Sequence, residues 1–183
     1  MADGLFYLDT REPFVTVSPA AVTLTATAKA LYTTSQFPVL GGNYFGRVGK
    51  KLLVHVFGVM TTAATPGNGS FNIYYGTGAD ANGTVLMTGT PAALTAGQTA
   101  LTWSAEFVVT CITTGSVGTL RCTGMAKFNE ALQAPMQMLP TATAGVSGAC
   151  DLTAANIISL QYLRSGATVE TMQIIDMRVV ALN

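Results

Sequence analysis

The sequence predicts an all-β chain: a two-sheet antiparallel β-sandwich, with an eight-stranded jelly roll as the leading topology. Three observations carry this. Apolar and polar residues alternate with period 2 in seven of eight candidate segments. Turn signals rich in Gly, Pro and Asn separate those segments at short intervals. No stretch reads as a helix of more than a turn or two. The eight segments cover about 22–32, 50–62, 70–76, 84–88, 99–113, 119–128, 156–163 and 170–182. A length of 183 residues suits one domain with a sizeable core. In this topology the first strand pairs with the last, and the 50–62 strand with the seventh. An immunoglobulin-like sandwich is the alternative, but no cysteine pair with an intervening tryptophan supports it.

Residues 1–20 read as an extended arm, and 21–183 as the sandwich domain. Pro13 and Pro19 break regular structure in the arm. Its apolar residues, among them Phe6, Tyr7, Phe14 and Val15, are candidates for contact with the domain or with a partner. From Val22 to Tyr32, Val22, Leu24, Ala26, Ala28 and Ala30 alternate with Thr23, Thr25, Thr27 and Lys29, the pattern of one half-buried strand. Phe37, Tyr44 and Phe45 in the next loop are expected to plug one end of the sandwich.

The plainest strand follows, with Lys50 and Lys51 keeping its start in water. Leu53, His55, Phe57 and Val59 fall on one face, and Leu52, Val54, Val56 and Met60 on the other. Both faces are apolar, so the strand should lie deep in a sheet covered on both sides, by a second sheet or by another copy of the chain. Asn68-Gly69-Ser70 and Asn82-Gly83-Thr84 match the glycosylation sequon but read as hairpin turns.

Residues 89–98 read as a loop. In the 99–113 strand Leu101, Trp103, Ala105, Phe107 and Val109 share a face, making Trp103 a core or interface anchor. A turn over Gly115–Gly118 should set Thr114 opposite Thr119 and Cys111 opposite Cys122. Met136, Met138 and Leu139 lie between Pro135 and Pro140, in the longest break of pattern. They read as a loop over one end of the barrel or as a contact made by adaptable side chains. The strand at 170–182 ends one residue before Asn183.

Composition limits function. Nine basic and nine acidic residues give zero net charge, and they are not clustered as a direct nucleic-acid partner requires. Charged residues make up 10% of the chain, where about a quarter is usual, so self-association is weakly opposed. No apolar run is long enough for a membrane-spanning helix, and the N-terminus does not read as a signal peptide. Cys111, Cys122 and Cys150 lack metal-ligand spacing and are expected to be reduced thiols. His55, the single histidine, sits mid-strand with no Cys, Asp or Glu close in sequence, and reads as structural or as a subunit contact. Arg47, Lys50 and Lys51 read as a solvated strand start. No nucleophile elbow, phosphate loop or dinucleotide fingerprint is present. No catalytic residue, metal site or cofactor is assigned, and the chain is not expected to be an enzyme.

A Thr- and Ala-rich first strand precedes Asn43-Tyr44-Phe45. Then come Val48-Gly49-Lys50, a long strand closing Phe57-Gly58-Val59, and a C-terminal strand closing Arg178-Val179-Val180-Ala181-Leu182-Asn183. In this order residues 22–183 resemble small β-sandwich virion proteins of tailed bacteriophages, including head decoration and cement proteins. The resemblance implies a structural protein, assembled in a host cytoplasm, that sits on a head surface as a homo-oligomer, commonly a trimer. Its partners would be other copies of itself and the major capsid protein. The alternative is a tail fibre or spike protein or a receptor-binding head domain, which should expose loop aromatics beside polar groups. Tyr74 and Tyr75 fall in a strand instead.

Overall fold

A computed structural model describes residues 20–27, 29–32, 39–77, 83–129, 136–140, 145–165 and 169–182. The arm residues Phe6, Tyr7, Phe14 and Val15, and Phe37 of the loop, lie outside the described residues. Those described contain eleven strands and no helix. They are β1 (Val22–Thr23), β2 (Lys29–Ala30), β3 (Lys51–Thr61), β4 (Asn68–Gly76), β5 (Thr84–Thr88), β6 (Ala92–Ala93), β7 (Leu101–Thr113), β8 (Thr119–Phe128), β9 (Met136–Leu139), β10 (Ile157–Arg164) and β11 (Thr171–Leu182). They form two antiparallel sheets packed as a sandwich. The six-stranded sheet runs β1-β11-β3-β7-β8-β9. The second runs β2-β10-β4-β5, with β6 also paired to β4.

Period-2 alternation decides which side chains enter the space between the sheets. From β3 come Leu52, Val54, Val56 and Met60, and from β7 Trp103, Ala105, Phe107, Val109 and Cys111, all buried. The second sheet answers with Phe71, Ile73 and Tyr75 of β4 and Ile158, Leu160 and Tyr162 of β10. Rings dominate the centre. Phe71 lies 4.9 Å from Tyr162, 5.3 Å from Trp103 and 5.5 Å from Phe128, centroid to centroid. At one end Phe45 is fully buried, with Tyr44 at 4.9 Å and Tyr75 at 6.0 Å. Phe45 therefore plugs the sandwich as expected.

Space for the rings is made by glycine. Gly58 is paired with Trp103 across β3 and β7, and a Cβ there would sit 2.7 Å from the indole and against the Gln173 carbonyl. A Cβ at Gly69 would run into the Tyr162 ring.

Several expectations on pairing are corrected. The single strand expected over 22–32 is two short strands in different sheets. Val22 and Thr23 pair with Met172 and Thr171, whereas Ala30 and Lys29 pair with Gln161 and Tyr162. Between them the Thr25 hydroxyl bonds to Thr27, donating to its carbonyl at 2.9 Å and accepting from its N–H at 3.3 Å. Such local side-chain bonds compete with a continuous ladder. Because one segment supplies two strands, the strand count behind the expected pairing shifts. The 51–61 strand pairs with β11 and β7, not with 156–163.

Asn68 and Gly69 belong to β4, opposite Ala93 and Ala92, so the first Asn-Gly is not a hairpin turn and 89–98 is not wholly loop. Cys122 faces Val109, and Cys111 faces Leu120. The hairpin closes at Thr113 opposite Thr119, whose hydroxyls lie 2.8 Å apart, and a bulge between Cys111 and Thr113 shifts the register again.

Where the chain crosses between sheets, a buried ion pair holds it. Arg164 Nε lies 2.9 Å from Glu170 Oε2, with both side chains buried. The same Nε–H donates to the Leu24 carbonyl at 3.2 Å, and the Leu24 N–H donates to the Glu170 carbonyl at 2.9 Å. Burial, reinforced by the Glu170 carboxylate, holds the nearby Tyr162 phenol well above its ordinary range.

Two stability outcomes follow. Gly58→Ala should lower unfolding free energy by about 1–3 kcal/mol through overpacking against Trp103, read by urea denaturation. An unchanged midpoint would show that both the indole and the Gln173 carbonyl have room to move. Arg164→Met should cost ~3–5 kcal/mol by leaving the Glu170 charge buried without its guanidinium. Arg164→Met combined with Glu170→Leu should recover much of that loss in the same assay.

Candidate assembly surface

The outer face of the six-stranded sheet is built by the same alternation that fills the core. The side chains of β3 that point away from the core are Leu53, His55, Phe57 and Val59. In this chain they are half-buried or exposed, with Phe57 38% exposed. His55 is thus half-buried on an outward face, not deep in the protein.

Register sets the neighbours across the face. One row reads Arg178 on β11, His55 on β3, Glu106 on β7, Met125 on β8 and Met138 on β9. The next reads Asp176, Phe57, Ser104, Lys127 and Met136. On the other side Val180, Leu53, Val108 and Thr123 align. The centre is therefore an apolar strip along β3, with one basic and one acidic side chain flanking His55. Beside Phe57 a shallow open depression of about 360 Å³ is lined by Thr102, Ser104, Lys127, Asn129 and Met136 among others.

Met136, Met138 and Leu139 need a correction. They form an edge strand paired to β8, because Met138 continues the row of Met125 and Leu139 faces Gly124. Alternation then splits them. Met136 and Met138 are 55% and 58% exposed, while Leu139 is 2% exposed and belongs to the core. Only the two methionines are available as surface contacts.

Other candidate groups are held by the fold. Cys111, Cys122 and Cys150 are free and buried. The Cys111 thiol lies 3.2 Å from the Phe45 carbonyl, and burial pushes the Cys111 and Cys122 thiols up, away from the reactive thiolate. Lys50 sits over the Tyr44 ring at 4.1 Å, while Arg47 and Lys51 are exposed. Among the described residues, no three His, Cys, Asp or Glu side chains are grouped to hold a metal ion, and no helix is long and apolar enough to cross a membrane.

The apolar outer face of residues 51–61 is visible in sequence. Glu106 and Arg178 are not, since register alone brings them beside His55. Comparison with known proteins gives no match to a family model, a curated protein or a solved structure.

Peroxide should distinguish the two kinds of methionine. Met136 and Met138 should oxidise to sulfoxide well before the buried Met60, Met87, Met172 and Met177, read by peptide mass spectrometry. Equal rates would contradict the edge-strand placement.

Proposed function

We propose that this protein is a structural virion protein: a decoration or cement subunit that binds the outer surface of a phage head as a homo-oligomer. The observation that carries the assembling role is the apolar outer face of the six-stranded sheet, on a chain with only 10% charged residues. An apolar strip flanked by charged and polar side chains is the pattern of an interface core inside a polar rim. The resemblance of residues 22–183 to head decoration proteins supplies the setting. The strand order supports the jelly-roll reading. Strands β1-β11-β3-β7 lie in one sheet and β2-β10-β4-β5 in the other, the interleaving of two Greek keys, with β8 and β9 extending one edge.

In this reading the subunit does no chemistry. Its work is burial of surface between copies and against the capsid protein. The shell-facing candidates are Met136 and Met138 at the sheet edge, together with the arm residues Phe6, Tyr7, Phe14 and Val15.

The test uses shells assembled without this protein. Adding the purified chain should give regularly spaced density on the outer shell surface in electron cryomicroscopy. Deleting residues 2–17 should lower occupancy severalfold while the circular dichroism of the sandwich is unchanged. Density confined to tail fibres would favour a receptor-binding role, and no binding to any part of the particle would end the virion reading.

A further inference from the structure

We propose that two copies of this chain pair face to face through the outer surface of the six-stranded sheet, about a two-fold axis running along β3. The argument starts from the row Arg178, His55, Glu106. Neighbouring strands are about 4.8 Å apart, so the guanidinium and the carboxylate flank the histidine on opposite sides, on strands about 10 Å apart. Both side chains are exposed, and no ion pair within the described residues engages either.

A two-fold axis lying in the interface along β3 reverses the lateral order of the strands in the second copy. Arg178 of each copy then lies across from Glu106 of the other, and His55 meets its own counterpart on the axis. The apolar rows follow the same operation. Val180 faces Val108, Leu53 faces Leu53, and Phe57 faces Phe57. Asp176 is set across from Ser104 and Gln173 across from Thr102, so no acidic group meets another. Turning the axis at right angles, along the row, sets Arg178 on Arg178 and Glu106 on Glu106. Charge complementarity therefore selects one arrangement, and it is isologous, as a two-fold contact must be.

Sheets packed in this way cross at about 30°, which keeps the match closest near His55. The same crossing spreads the ends, where Lys51 would otherwise meet its own copy.

Size is consistent with a specific contact. Strands β11, β3 and β7 overlap in the pair, and β3 has eleven residues. At ~3.3 Å per residue and ~4.8 Å per strand, the overlap projects to on the order of 500 Å². Accessible area exceeds projected area, which brings it near the ~800 Å² per partner of ordinary specific interfaces. Strands β8 and β9 overhang the pair. Met136 and Met138 therefore stay free for a second partner.

This replaces the trimer of the resemblance with a two-fold pair as the contact that the sheet face supports. It rests on reading that face as an assembly surface, but not on what the assembly binds. Oligomeric state is measured with no shell present, so failure here and failure of shell binding are separate results.

The test is sedimentation velocity on the full chain at micromolar concentration. The unaltered protein should be a dimer. Glu106→Arg sets arginine against arginine twice per pair, and Arg178→Glu does the same with carboxylates. Each should weaken dimerisation about tenfold or more. The two substitutions together restore opposite charges and should restore the dimer. Circular dichroism checks that each variant folds, as expected for changes at exposed positions. A monomer in the unaltered protein, with the face covered by residues 1–19 or by another kind of partner, overturns the proposal. So does a trimer, a dimer indifferent to both reversals, or a double variant no better than the single ones.

Discussion

The two sheets are held together by a ring cluster. Phe71 sits at its centre, touching Tyr162 of its own sheet and Trp103 and Phe128 of the other. These are large side chains, and each is worth several aliphatic contacts in buried area. Much else in the fold is shaped to admit them. β3 lacks a side chain at Gly58, where the indole lies, and β4 lacks one at Gly69, beside the Tyr162 ring. A glycine inside a strand weakens it locally. The cost is tolerated where burial of a neighbouring ring outweighs it, which explains why two interior strand positions carry the residue least suited to strands.

The sandwich is asymmetric on its outside. The second sheet presents small polar groups outward, and they are buried: Ser70, Asn72, Ser159 and Gln161. Gln161 donates to the Ser159 hydroxyl at 3.2 Å. The six-stranded sheet presents larger apolar side chains outward and leaves them half-buried or exposed. A chain with few charges can keep both faces only if their fates differ. The polar one is closed within the chain, and the apolar one stays partly open to solvent.

Fold class was legible because a strand's two faces differ along the sequence itself. Trp103 and the apolar surplus of residues 51–61 were both visible that way, and the plugging ring of Phe45 was visible from its place in an aromatic loop. Three things were not. Alternation across 22–30 could not show that the chain changes sheets midway, because Thr25 looks the same whether it faces solvent or bonds to Thr27. The cysteine register depended on a bulge, which adds one residue without any mark in the pattern. Nothing local announces that Arg164 and Glu170, two ions six residues apart, will be buried together. The candidate surface was half legible for the same reason. One strand's outer face can be read off, but which charges stand beside it depends on pairing with segments far away in sequence, Glu106 on one side and Arg178 on the other.

The crossing at Leu24 has a mechanical consequence. Tension applied to the chain ahead of Val22 reaches both sheets in sequence. The short β1 ladder to β11 carries it first, and only after that yields does load pass to Leu24, whose carbonyl and N–H are tied to Arg164 and Glu170. β2 on the far sheet comes next. A tether attached there would therefore meet two fasteners in series, a short strand ladder and then two hydrogen bonds anchored on a buried ion pair. The outer could give and re-form under transient strain while the ring-packed interior stays closed.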